Sequence, residues 1–577
     1  MISLRKLIAF TIALIAIIAI WLWWNRPQRV DMAAYVPADA LVYLEANSLP
    51  TVVQGLSETD AWKTLAPPAG IRADLAQIGW LSRLSAWTGI GPAETVALSR
   101  AQIAIAVLSL EAADAGETLK IKPRYGVVAE THMSQWRASA AVEKRVGDFA
   151  RRAYKTPTVE RKKIDDVDFV LWKAPAGDRQ IVAAVMGSVA VIGTDENSVR
   201  TILSVRRGER PSMAGSQLLE EMRGRVEAQK SVAFGYVSPQ GSAQLLEVAI
   251  AAYAGQISNN PQIQGAIASR LPQLANKLLG GAGWSARFVN GVVEDRYYLA
   301  LQNGVAERLR EPLASGAASE IGASKLLPAK VYRLTRYNYR YPAAAWKGLN
   351  AAISSQLDAL GAVSVTVLLR AALQPYGIEE PDSFLASIGS EAVTASLDNA
   401  GSGTLTLVAV KDEKALRDFV TKRLGPRPRT EKIGDADLQA SRDEERGAAS
   451  FAGGFLLLGT EQDIRRCLEA RAQSSTLHTA SPFQKSLQLA SNKSAPSSVT
   501  TLTYDEASAR TFITAIASQP AVRNGDFNQD ALERALNQLP FTISETNLIE
   551  GGFEKRTRSA FGQFGTLVAQ FSPGAAQ

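Results

Sequence analysis

The sequence predicts an α+β protein: a single N-terminal transmembrane helix followed by two related repeats, each an antiparallel sheet with packed helices. Three observations carry this expectation. Residues 7–24 read LIAFTIALIAIIAIWLWW, with no charge. Alternating apolar runs cluster between helical stretches, which suits antiparallel sheets with helices on one face. Short motifs also recur in the same order in the two halves of the chain.

The apolar run comes first. At 1.5 Å per residue it spans roughly 27 Å, close to the ~30 Å hydrocarbon core of a bilayer. Leu7 opens it, and Trp21, Trp23 and Trp24 close it, where indole rings favour the headgroup layer. No A-x-A-like cleavage site follows and no cysteine lies near residue 20, so the run reads as a retained anchor rather than a cleaved signal. The short start, residues 1–6, favours a cytoplasmic N-terminus. The expected address is a bacterial inner membrane crossed once, with the bulk of the chain periplasmic and membrane lipid the partner of the helix. A linker (25–33), a first repeat (34–305), a second linker (306–324) and a second repeat (325–577) complete the expected domains.

The repetition rests on three matches. Val36-Pro37-Ala38 before Leu41-Val42-Tyr43-Leu44 returns as Leu327-Pro328-Ala329 before Val331-Tyr332. Ala190-Val191-Ile192-Gly193-Thr194-Asp195 returns as Leu456-Leu457-Leu458-Gly459-Thr460-Glu461, with Arg200 and Arg466 at the same spacing beyond. Asn290-Gly291 through Arg296 returns as Glu550-Gly551 through Arg556. The intervals shrink along the chain, so the second copy is the shorter.

Within each copy the predicted elements keep one order. A Pro-Ala turn leads into a half-buried strand (residues 40–46; 330–337). Helical stretches follow (49–65 and 71–88; 342–360). Strands come next (95–98 and 103–110; 392–397 and 405–410), then a charged amphipathic helix (136–153; 413–424). Further strands end at a Gly-Thr turn (169–172, 180–185 and 189–192; 448–451 and 455–458). There glycine permits an unusual φ, threonine caps the next helix, and Asp195 or Glu461 occupies a first turn whose dipole favours a carboxylate. Helices close each copy (242–255 and 261–279; 507–517 and 529–539).

Val36-Pro37-Ala38-Asp39-Ala40 with Tyr43-Leu44-Glu45, the Gly193-Thr194-Asp195 step with its helix through Arg200, and the leading apolar run together resemble the DUF3352 family. The resemblance implies a bacterial envelope protein of unknown function and brings no catalytic residues. It is clearer in the first copy, because Leu327-Pro328-Ala329-Lys330 departs from the Pro-Ala-Asp opening.

Composition excludes more than it identifies. The 577 residues are 46% hydrophobic and 21% charged, with a net charge of +7, which fits a globular body with a mixed surface and no nucleic-acid partner. Cys467 is the single cysteine, and His132 and His478 are the only histidines. No disulfide can close within the chain, and a metal site built on several His or Cys ligands is not expected. No phosphate-binding loop, dinucleotide fingerprint or G-x-S-x-G elbow occurs, so no cofactor and no catalytic set are assigned. Acid pairs occur at Asp165-Asp166-Asp168, Glu220-Glu221 and Glu379-Glu380-Asp382, and a carboxylate-based hydrolase would need two such groups across a cleft.

The most distinctive patch interleaves Arg333, Arg336 and Arg340 with Tyr337, Tyr339 and Tyr341, a mixture suited to interfaces. The expected function is a non-enzymatic interaction or scaffold subunit of an envelope assembly, with an envelope protein as partner. The alternatives are a carrier of lipid or another small apolar ligand, and a carboxylate-based hydrolase.

Overall fold

The computed structural model describes residues 29–46, 48–71, 101–114, 119–257, 274–302, 304–317, 320–356, 380–399, 405–490, 496–518 and 526–571, with a few isolated positions between them. Among the described residues, ten strands come from the first half of the chain: β1 (Val42–Ala46), β2 (Gln102–Asp114), β3 (Leu119–Glu130), β4 (Thr158–Ile164), β5 (Val167–Lys173), β6 (Gln180–Met186), β7 (Val189–Gly193), β8 (Ala233–Val237), β9 (Leu279–Val289) and β10 (Val292–Leu301). Ten come from the second: β11 (Arg333–Asn338), β12 (Ile388–Ser396), β13 (Leu405–Val410), β14 (Arg429–Ile433), β15 (Ala436–Ala440), β16 (Ala448–Ala452), β17 (Phe455–Gly459), β18 (Val499–Thr503), β19 (Thr542–Ile549) and β20 (Gly552–Ser559).

All twenty belong to one antiparallel sheet. Its first half runs β4-β5-β6-β7-β3-β2-β1-β8-β9-β10. The second half continues β20-β19-β18-β11-β12-β13-β17-β16-β15-β14. The two meet where β10 pairs with β20, from Val293 opposite Ser559 to Ala300 opposite Gly552. Pairing in the second half follows that in the first, strand for strand. The resemblance reaches isolated bridges: Pro37 faces Ser212 as Pro328 faces Thr476. Met213 N–H donates to Val36 C=O, and Leu477 N–H to Leu327 C=O, both at 2.8 Å.

These findings correct the expected fold class. Two separate sheet repeats are replaced by one continuous sheet, because β10 and β20 pair with each other and neither ends as an edge. Among the described residues no helix is long and apolar enough to cross a membrane. The helix Gln135–Tyr154 has the length, but Glu143, Lys144 and Arg145 stand in its middle, and such charges are costly at bilayer depth. The single-pass inner-membrane address is corrected on the same finding. Leu7, Trp21, Trp23 and Trp24, with the whole 7–24 run, lie outside the described residues, as do residues 72–88 of the helix expected over 71–88.

Helices cover both faces of the sheet rather than one. Along β6 the residues from Val182 to Val185 are all buried, the continuous apolar run of a strand covered twice. On one face Val199, Ile202 and Leu203 of the helix Glu196–Arg206 join Val128, Val182 and Val191. On the other, Val146 and Ala150 of Gln135–Tyr154 pack on Trp172 and Ala183. The second half does likewise: Ile464, Cys467 and Leu468 of Glu461–Ala472 pack with Leu407 and Leu457. Leu416 and Val420 of Glu413–Leu424 pack with Val408, Leu456 and Leu458. The stretch expected as a linker includes a short helix, Val305–Arg310, whose Val305 and Leu309 are buried beside Ala345 and Ala352.

Candidate ligand-binding site

Directly opposed residues of an antiparallel pair share a face. Arg336 on β11 opposes Thr500 on β18, Thr500 opposes Glu545 on β19, and Glu545 opposes Arg556 on β20. Arg556 opposes Arg296 on β10, which opposes Ser285 on β9. One polar row therefore crosses the middle of the sheet, through the junction of the two halves. Burying such a row requires its charges to find one another. Arg296 Nη1 lies 2.6 Å from Glu227 Oε1, and Arg556 Nη2 lies 3.0 Å from Glu554 Oε1. One position along, the fully buried Glu294 accepts from Arg287 Nε at 2.8 Å and Arg558 Nε at 2.7 Å; these guanidinium contacts hold its carboxyl below the ordinary range against the opposing pull of burial.

Over the β11 end of this row lies a cleft of about 400 Å³. Ile321, Phe483, Leu487, Ala490 and Ile543 give it apolar walls, Arg336, Thr500 and Glu545 contribute polar groups from the sheet, and Glu320, Ser324, His478, Gln484, Gln488 and Ser497 complete the lining. Arg336 is 2% exposed, with Nη2 3.6 Å from Glu391 Oε2. Burial pulls its pKa down and Glu391 opposes that pull. Glu391 also accepts from the Gly322 and Ala323 N–H groups at 3.2 and 3.1 Å. It thereby fixes the turn Gly322–Lys325 over the sheet. Gln102 plays the corresponding part in the first half, clasping Val30 through N–H and C=O, both at 2.8 Å.

A second cleft of about 440 Å³ adjoins the first, and Pro496, Ser497 and Glu545 line both. Arg310, Arg340 and Arg556 line the second, facing Glu545 and Glu554.

The structure distributes the six residues of the aromatic-basic patch. β11 is an interior strand between β12 and β18, so its side chains alternate between faces. Arg336 lines the first cleft and Arg340 the second. Tyr339 is half-buried against the cluster of Val305 and Leu309. Arg333, Tyr337 and Tyr341 are exposed. The six do not form one surface.

The other candidates have structural roles. Asp165 and Asp166 form the two-residue turn between β4 and β5, at φ 49° and 60°, the left-handed pair a tight hairpin demands. Glu220 is 2.8 Å from Arg223, and Glu221 is 3.8 Å from Arg225 along one helix. Asp382 occupies the first turn of the helix Pro381–Ser387, while Glu379 is outside the described residues. His132 lies in a turn at φ 51°, its N–H donating to Glu130 at 2.9 Å. His478 Nδ1 is 3.4 Å from Ser324 Oγ, but that buried hydroxyl donates to Ile321 C=O at 2.6 Å, so its proton is committed away from a base. The Cys467 thiol is buried, and burial pushes it up to about 12, far from the thiolate form a nucleophile needs. Among the described residues no group of three His, Cys, Asp or Glu side chains is placed to hold a metal.

Sequence reading did not find Thr500, Glu545, Phe483 or Leu487, which gather from separate segments with no shared motif. The available signals were Arg336, a charge at a strand position that alternation assigns to the buried face, and Arg340 of the same patch. Compared with known proteins, the chain matches no family model, no curated protein and no solved structure.

Proposed function

We propose that this chain is a non-enzymatic binding protein that takes a small, largely apolar ligand in the cleft over β11, β18 and β19. The observation that carries the reading is the cleft itself, about 400 Å³ with apolar walls and its buried arginine opposed by Glu391. Small-molecule sites combine such walls with a few fixed polar groups. At ~0.8 kcal/mol per buried CH₂, an eight-carbon chain gains about 6 kcal/mol of apolar burial, against which the cost of association is set. A partner-protein surface built on the aromatic-basic patch has less support, because those six residues are divided between clefts, a helix contact and solvent.

The test is a titration of the full chain with the apolar dye N-phenyl-1-naphthylamine, read by fluorescence. Saturable binding at one site is expected. Ala490→Trp, which fills the cleft, should weaken it about tenfold, the loss of about 1.4 kcal/mol. Unsaturable binding, or an Ala490→Trp variant of native circular dichroism that binds as well as the parent, would overturn the reading.

A further inference from the structure

We infer that the ligand is a free single-chain amphiphile with an anionic head, its body in the first cleft and its head against Arg310 and Arg340 in the second. The inference rests on the binding reading above and adds the chemistry of the head. The clefts adjoin across Pro496, Ser497 and Glu545, and the inferred molecule passes over these three residues from one to the other. Their charges differ. In the first, Arg336 faces Glu391 and shares the lining with Glu320 and Glu545, so acidic groups outnumber it. In the second, three arginines meet two glutamates. Glu554 is engaged by Arg556 at 3.0 Å and Arg296 at 3.8 Å, and Glu545 accepts from Ser497 Oγ at 3.3 Å. The buried Nε of Arg556 has no hydrogen-bond acceptor.

Arg310 ends the helix Val305–Arg310 and Arg340 lies just beyond β11. Both are exposed at the mouth of the second cleft, where they can meet a head group with little desolvation. Guanidinium groups recognise carboxylate and phosphate by paired, charge-assisted hydrogen bonds. An apolar chamber leading to such a rim matches a molecule with a hydrocarbon body and an acidic end.

Dodecanoate and dodecanol have the same chain and differ in the head. Each is titrated as monomer against the dye-loaded full chain at low salt. Dodecanoate should displace the dye about tenfold better, the size of one charge-assisted contact. That advantage should shrink in 0.5 M salt and vanish in Arg310→Ala/Arg340→Ala, where dodecanoate and dodecanol should displace the dye equally. Equal displacement by the two ligands, or an advantage that survives the double substitution, overturns the inference and leaves the binding reading intact. Failure of the native chain to bind dye, dodecanol and dodecanoate sinks both. Phosphatidylcholine vesicles carrying the same acid separate the source: binding to vesicles without binding to monomers overturns the free-ligand assignment.

Discussion

Asp295 is 2% exposed on β10 and faces away from the polar row. Its carboxyl accepts from Trp284 Nε1 at 2.9 Å and from Gln563 N–H at 3.2 Å. The second bond fastens the start of the C-terminal helix Gly562–Phe571. Burial is the largest influence on this group, outweighing both donors, and raises it to about 6. The sign follows: the folded chain holds the proton more tightly than the unfolded chain, so Asp295 favours folding most when protonated. That contribution is present below about pH 4 and is lost as pH rises to about 6, a swing of about 2–3 kcal/mol. Urea unfolding of the parent and of Asp295→Asn across pH 4–7 isolates it. The parent should lose stability relative to the variant over that window; parallel curves would show the carboxyl to be no more strained than an exposed one.

The ends of the sheet show why hydrophobic pattern alone was an incomplete guide to its elements. Among the described residues β4 and β14 are the terminal strands, each paired on one side only, and most of their residues are exposed. Both are charged, TVERKKI and RTEKI, which discourages edge-to-edge association. Replacing Lys162 and Lys163 together by valine should leave the melting temperature nearly unchanged and promote aggregation, read by light scattering at equal concentration; a variant that stays monodisperse would assign those lysines another role. The same chemistry hid β4 and β14 from sequence reading, since neither has an apolar face to alternate. β10 was hidden differently. Glu294, Asp295 and Arg296 interrupt an otherwise strand-like run, and they fit an interior strand only because Arg287, Arg558, Glu227 and Trp284 arrive from elsewhere to meet them. Where burial on both faces left an uninterrupted apolar run, as in β6, β7 and β17, the strands were legible. The capping of the helix after each Gly-Thr step was partly so: Thr460 caps as expected, but in the first half Asp195 takes the cap itself, accepting from Ser198 N–H at 2.9 Å. The candidate site was legible at Arg336 and Arg340 alone, because its other walls come from segments far apart in the chain.

At the scale of the whole molecule, the decisive feature is where the halves meet. Arg296 and Arg556, aligned by the sequence repeat, are directly opposite each other across β10 and β20. A pair of equivalent residues facing each other is the geometry of a two-fold interface, here between two parts of one chain. The junction is not symmetric in its chemistry, however: Glu294 relies on Arg558 and Asp295 on Gln563, and neither contact exists within the first half. A chain ending at residue 303 would expose the backbone edge of β10 and leave Glu294 without one of its two arginines, and removing one partner of a buried ionic group costs about 3–5 kcal/mol. Expressed alone, residues 29–303 should therefore melt well below the full chain and form oligomers through the exposed edge. Co-expression with residues 304–577 should restore a one-to-one complex, because the eight register pairs from Val293–Ser559 to Ala300–Gly552 need no covalent link to form. Light scattering coupled to size exclusion reads both outcomes. A first half that remains a monomer with the full chain's melting temperature would mean that each half is stable without the junction, and that the continuity of the sheet contributes shape rather than stability.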